Sequence, residues 1–164
     1  MHWEQWIAFE QDLNEHTGLN SCVIDHGGVR ISAYRKWANP LCPLIRHDQK
    51  GRDAICDLNQ ALLQHQAPEG EIVVSRCPAG MVVLCLPVCH KGEQLGLIGG
   101  CGLLPEHGQV DKAVVGRATG LSASRIDEMS RGVGRLLAED IVALGHYLKR
   151  QLHEVIETNV PEGG

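Results

Sequence analysis

Apolar residues along this chain recur first at helical spacing, then at strand spacing, then at helical spacing again. Residues 2 to 16 place Trp3, Trp6, Ile7 and Leu13 three or four apart, and Thr17-Gly18 stops the pattern, which predicts an amphipathic cap helix. Leu19 to Ser32 sets β-branched residues on both sides of Asp25-His26-Gly27-Gly28, the pattern of a strand, a turn and a second strand. Asn39-Pro40 opens a short helix carrying Cys42, Leu44 and Ile45. A further helix is expected from about Gly51 to His65, with Ile55, Leu58, Leu62 and Leu63 inward and Ala67 to Gly70 ending it. Glu71 to Ser75 begins a third strand.

From Arg76 to Glu106, two apolar runs rich in Val, Leu, Ile and Cys flank the turn Cys89-His90-Lys91-Gly92-Glu93. They form a buried antiparallel hairpin that completes a sheet of about five strands. A hairpin apolar on both faces must be covered on both, by helices that pack over it or enclose a pocket against it. Beyond Pro105, residues 109 to 118 and Ser122 to Met129 are amphipathic helix candidates, the second with Ser124 and Asp127 in a variant of the capping box. A long helix from Gly132 to Thr158 repeats Val133, Leu137, Ile141, Leu144, Leu148, Leu152 and Val155 close to heptad spacing. That stripe packs across the sheet or pairs with a second subunit, and a homodimer joined partly through it is expected. The whole is one α+β domain over residues 1–160, an antiparallel sheet with helices on its faces and a long C-terminal helix. Pro161 to Gly164 form a frayed tail.

A chain of 164 residues buries roughly 70% of the surface its unfolded form exposes, enough for a sizeable core. The net charge is −5 and basic residues are scattered singly, which excludes a nucleic-acid stripe on this chain. The N-terminus, MHWEQWIAFEQDL, has neither a cationic start nor a continuous apolar core, so no signal peptide, membrane span or membrane partner is expected, and the location expected is cytoplasmic. In a reducing compartment seven cysteines, an odd number, do not make a disulfide framework. Metal ligation, redox chemistry or plain burial remain.

Trp37 to Leu44 with Cys42, Gly51 to Cys56, Cys77-Pro78-Ala79-Gly80-Met81, Pro87 and the strand Gly96 to Leu103 together resemble the PocR sensory domain. That family is a PAS-like variant found in bacterial transcription regulators and histidine kinases, and the resemblance runs from about Trp6 to Leu104. It implies a PAS-like signal-sensing domain rather than an enzyme, with a small-molecule effector such as a simple diol. Two features depart from the family. Pro78 stands where the family often has histidine, which removes a ligand or proton carrier. No recognisable DNA-binding or kinase segment follows, so the domain is expected to signal in trans to a partner protein, or to be an excised part of a longer one.

Cys42 and Cys56 belong to the helical layer and Cys77 to the entry of the hairpin, so folding could gather three thiols over one sheet face. Cys85, Cys89 or Cys101 could be a fourth, and Cys42, Cys56, Cys77 and Cys101 are the set expected to hold zinc or an iron–sulfur cluster, because soft thiolates bind both. No Cys-x-x-Cys pair supports this locally. Cysteine also packs as a small apolar side chain, which suits Cys22, Cys85 and Cys89 in their strands. An organic effector would instead lie between the helices and the sheet, against Trp37, Arg46, His47, Met81 and Gly99.

Other chemistry is poorly supported. His26 and His90 fall in turns, and His146 and His153 share a helix face too far apart for one metal ion. Gly96, Gly99, Gly100 and Gly102 do not precede a helix, so they are not a phosphate cradle; close backbone approach, with room for a ligand or an overlying helix, explains them better. Asp25, Asp53, Asp57 and Glu71 form no general acid and base pair, and there is no Ser-His-Asp set. Two further readings stand beside the sensor. One is a cysteine-dependent redox enzyme using Cys77 beside Arg76 or Cys42 near Arg46 as a low-pKa thiol. The other is a structural dimerisation module whose cysteines only fill the core.

Overall fold

The computed structural model describes residues 3–57 and 68–159. Helix α1 (Trp3–Thr17) leads into β1 (Asn20–Asp25). After a loop come α2 (Leu41–His47) and α3 (Gln49–Gly51), which runs on as a π-helical turn, Arg52–Asp57. Strands β2 (Val73–Arg76), β3 (Val82–His90) and β4 (Glu93–Pro105) follow. Then come α4 (Lys112–Thr119), α5 (Ala123–Ser130), the short β5 (Arg135–Leu136) and α6 (Ala138–Asn159). The expected Leu58, Leu62 and Leu63 of the second helix, and the tail Pro161 to Gly164, lie outside the described residues.

The sheet runs β1-β4-β3-β2 with antiparallel neighbours. The long hairpin turns over Lys91 and Gly92, whose φ angles are 51° and 80°. Two consecutive left-handed residues are what a two-residue hairpin loop needs to match the twist of its strands. The architecture is the expected α+β one, but its fifth strand is not the expected one. Val29 to Ser32 does not form the second strand of a first hairpin and keeps a single bridge, Ile24 to Arg30. Instead β5 pairs in parallel with the end of β4, Leu104 with Arg135 and Pro105 with Leu136.

Both faces of the hairpin are buried, and they face different things. Val82, Leu84, Leu86 and Val88 of β3, with Ile98 and Val23, pack under Trp6, Phe9 and Leu13 of α1 and Leu144, Leu148 and Leu152 of α6. The intervening positions Val83, Cys85, Leu97 and Ile24 face the other way, beside Cys22, Cys77 and Cys101. A further core, with Leu41, Ile45, Ile55, Val115, Ala118 and Ile126, joins the remaining helices to one another and to Ala79 and Met81.

Helix starts move for local reasons. Asp111 accepts a hydrogen bond from the Val114 N–H at 3.0 Å, so α4 begins at Lys112 rather than residue 109. Ser122, not Ser124, caps α5 by accepting from the Arg125 N–H at 3.1 Å, while Asp127 pairs with Lys112 at 3.0 Å. The last helix starts at Ala138, not Gly132. Residues before it lie alongside β4, where the Leu104 N–H donates to the Gly134 carbonyl at 2.9 Å and the Arg135 guanidinium donates to the carbonyls of Pro105, Glu106 and Gly108. Among the described residues, no helix is long and apolar enough to cross a membrane.

The apolar stripe of α6 is spent on the chain's own core, as Leu144, Leu148 and Leu152 show. Packing across the sheet, one of the two outcomes that the heptad-like spacing allowed, is thus made by these positions. Leu148 is 1% exposed and Val142 is 62% exposed. Leu148→Ala is expected to cost about 2–5 kcal/mol in urea denaturation, and Val142→Ala to stay within about 0.5 kcal/mol of the parent. Equal effects would place the stripe elsewhere.

Candidate functional site

Between the second sheet face and the helices lies a pocket of about 130 Å³ with a mainly apolar lining. Its floor follows from strand register. Cys22 of β1 and Cys85 of β3 flank Gly99 of β4 in one row, and Asn20 and Val83 flank Cys101 in the next. A Cβ on Gly99 would come within 2.1 Å of the Leu84 carbonyl oxygen, so the strand contact itself demands glycine. No side chain rises between the two thiols as a result.

The walls come from three short segments: Cys42, Ile45 and Arg46 of α2, Ile55 and Cys56 of the π-helical turn, and Cys77, Ala79 and Met81 before and at the start of the hairpin. One buried amide sets α2 in place. Asn39 Oδ1 accepts from the N–H groups of Leu41 and Cys42, both at 2.8 Å, and Nδ2 donates to the Gly102 carbonyl at 2.6 Å. The same NH₂ group lies 3.1 Å from Cys42 Sγ and 3.4 Å from Met81 Sδ. A helix cap and a tie to β4 are thus made by a single side chain. The segment Cys77-Pro78-Ala79-Gly80 is a turn in which the Gly80 N–H donates to the Cys77 carbonyl at 2.8 Å. Pro78 takes its second position, where a fixed φ is favoured.

The mouth is formed by Arg30, Tyr34, Arg35, Lys36 and Trp37, from a loop without helix or strand. This loop is strapped to α1. Glu10, 0% exposed, accepts from Arg30 Nη2 and from the Ser32 hydroxyl, both at 2.5 Å. The Tyr34 hydroxyl donates to Asn14 Oδ1 at 2.9 Å, and Asn14 Nδ2 donates to the carbonyls of Leu19 and Lys36 at 2.7 and 3.3 Å. These side-chain ties replace the strand ladder expected for residues 29 to 32. Burial pushes the Glu10 carboxyl above its usual range, against the opposing pull of Ser32 and Arg30.

The thiols are held neutral. Burial pushes Cys22, Cys42 and Cys77 above the ordinary thiol value, moves Cys85 up to about 11, and raises Cys101 as well. A nucleophilic cysteine needs the opposite shift, so Cys77 and Cys42 lack the low-pKa character that the redox-enzyme reading requires. Protonated thiols form a soft, polarisable and nearly apolar wall.

Trp37, Arg46, Met81 and Gly99 all line this pocket, and so do Cys42, Cys56, Cys77 and Cys101. His47 does not; it is exposed on the last turn of α2. Cys42 Sγ and Met81 Sδ are 3.6 Å apart, and Asn20 Nδ2 lies 3.8 Å from Cys101 Sγ. Although one pocket gathers the four cysteines, no group of three or more His, Cys, Asp or Glu side chains among the described residues is placed to hold a metal ion. The sequence reasoning missed Arg30, Tyr34, Arg35 and Lys36, and it favoured packing for Cys22 and Cys85. The alternation of β1 and β3 would have put those two cysteines on one face, and the polar run Tyr34-Arg35-Lys36-Trp37 stood beside the Cys42 helix.

Comparison with known families matches residues 2–158 to the sensory domain found in PocR, and the chain belongs to that family. No curated protein and no solved structure gives a match.

Two outcomes follow from the site. Asn39→Ala is expected to lower stability by about 2–3 kcal/mol in urea denaturation, through loss of the cap and of the partner of a buried carbonyl; a change under about 0.5 kcal/mol would show that α2 is placed otherwise. The second concerns alkali. Because the folded Cys85 thiol keeps its proton to about 11 against an ordinary value of 9.0, the unfolded chain ionises first. Its contribution is intact below pH 9.0 and is lost as pH rises toward about 11. Melting temperature should fall across that window, and Cys85→Ala should soften the fall.

Proposed function

We propose that this sensory domain binds a small organic effector in the pocket between α2, the π-helical turn and the sheet, and passes its occupancy to α6 through α1. The observation that carries this is the loop Arg30 to Trp37, which lines the pocket mouth on one side and is tied to Glu10 and Asn14 of α1 on the other. Helix α1 shares a core with α6, and His16 stacks on Tyr147 with ring centroids 4.2 Å apart and planes within 10°. An effector that draws the loop inward loads these ties and biases how α1 and α6 pack. The outer face of α6, where Val142 is exposed, is the surface that would hand the signal to a second copy of the chain or to a partner in trans.

Binding rather than turnover is the reading that the raised Cys42 and Cys77 thiols favour, and among the described residues no acid and base pair lines the pocket. A zinc ion or cluster on Cys42, Cys56, Cys77 and Cys101 would have to displace protons that burial holds on Cys42, Cys77 and Cys101. Elemental analysis of anaerobically purified protein separates the two: stoichiometric zinc or iron would replace the organic effector with a metal.

Thermal shift across a panel of small metabolites, simple diols included, tests the main reading. A true effector at about a hundred times its Kd adds about 2.7 kcal/mol of stability and changes Trp37 fluorescence. Trp37→Phe should abolish the optical change, and Glu10→Gln should keep binding while removing the ligand-dependent change in hydrogen exchange along α6. A panel in which nothing shifts the melting transition ends this reading.

A further inference from the structure

The pocket has an electrostatic asymmetry that its apolar walls do not explain. Among the described residues its lining includes Arg30, Arg35, Lys36 and Arg46 and no aspartate or glutamate. That is notable in a chain with net charge −5, because the cations are gathered against the average. Among the described residues the ion pairs are Arg30–Glu10, Lys112–Asp127, Arg125–Glu128 and His153–Glu157, so Arg35, Lys36 and Arg46 have no carboxylate partner. Even Arg30 is incompletely satisfied. One of its terminal nitrogens serves Glu10 and the Tyr34 carbonyl, while its Nε–H is buried without a hydrogen-bond acceptor. A buried guanidinium N–H left unpaired costs free energy that an incoming acceptor would recover.

We propose that the effector is an organic anion: a carboxylate or phosphate head met by the basic mouth at Arg30, Arg35 and Arg46, and an apolar body set inside against Ile45, Ile55, Leu97 and the neutral thiols. This rests on the pocket being an effector site and names the chemical class that fits it. Guanidinium forks match the oxygens of either head in pairs, and a site partly closed to water strengthens each such bond. Arg35 is the cation of this group that feels the crowding, with Glu10 pulling the other way. Burial and the nearness of Arg30 and Arg46 hold the Arg35 guanidinium below its ordinary value, as expected where cations crowd. An anion relieves that repulsion; a neutral diol does not.

Isothermal titration of the full chain with matched series decides the matter: linear carboxylates from acetate to octanoate, alkyl phosphates of the same lengths, and the corresponding primary amides, alcohols and diols. The expected result is an anion binding roughly ten- to a hundredfold tighter than its neutral counterpart, with an affinity that falls as salt is added. The better of the two anionic series identifies the head group. Arg46→Gln and, separately, the exposed Arg35→Gln should each weaken the anion far more than its neutral counterpart and so erase much of this preference. Circular dichroism confirms that the variants are folded, and Arg35→Gln carries the test alone if Arg46→Gln is not. Neutral ligands binding as tightly as the acids would overturn the anion and keep the effector site. Failure of every series, together with failure of the wider metabolite panel, would overturn both.

Discussion

A strand has two faces, and the β3–β4 hairpin must bury both. Much of the rest follows from that constraint. Even-numbered positions of β3 from Val82 to Val88 require a hydrophobic cover, and α1 and α6 supply it together, so these two helices meet. The odd-numbered positions require another, and among the described residues it is short: a seven-residue α2, a three-residue α3 and a π-helical turn. The pocket lies between these elements and the sheet. π-helical turns tend to occur at functional sites because the wider turn redirects side chains, and here the turn puts Ile55 and Cys56 into the wall. The pocket and the α1–α6 core thus lie on opposite faces of one hairpin.

Sulfur explains how the pocket stays both lined and adaptable. Six cysteines and Met81 contribute to it. Thiols raised by burial carry no charge at neutral pH, and their small size leaves volume that leucines would occupy. The cost of burying charge is concentrated instead in Glu10, which is fully buried on α1 and held by Arg30 and Ser32. A buried carboxylate is tolerated only with such partners, and removing one is much more disruptive than replacing the whole set. The loop that carries those partners is consequently fixed to α1 by necessity, although it forms no strand of its own.

What was legible in the sequence was whatever depends on period and on local turn chemistry. The helix at Trp6 to Leu13, the hairpin around Lys91-Gly92 and the burial of both its faces all follow from spacing alone. Membership in the family followed from Cys42, Cys56 and the Cys77 to Met81 segment occurring together, and the structure brings those residues to one pocket. Less legible was anything fixed by partners distant in the chain. Residues 29 to 32 have strand composition, but Glu10, about two turns into α1, claims Arg30 and Ser32. Likewise Gly132 to Leu136 continue the apolar period of α6, yet the end of β4 draws Arg135 and Leu136 into a two-residue parallel strand. The basic mouth is less legible because Arg30, Arg35 and Lys36 sit in a segment with no helical or strand period, and ties to α1 place it at the pocket beside Arg46.

Whether binding can be felt at α6 depends on differential contact, since a ligand shifts an equilibrium only by the difference in its affinity for the two states. The pocket floor offers little of that difference, because Cys22, Gly99 and Cys85 sit in paired strands that cannot move independently. The mouth offers more. Its loop is held by polar bonds to α1 and by the packing of Ile31, a balance that a bound head group could alter by an amount typical of coupling between sites, about 1–3 kcal/mol. Glu10 and Asn14 lie one turn apart on α1 and grip the loop at Arg30, Ser32 and Tyr34, so in the proposed reading a displaced loop would load the helix at two levels. Trp6, Phe9 and Leu13, on the neighbouring face of the same helix, share a core with Leu144, Leu148 and Leu152 of α6. Packed side chains cannot deform continuously, so α6 is where the proposed movement would emerge.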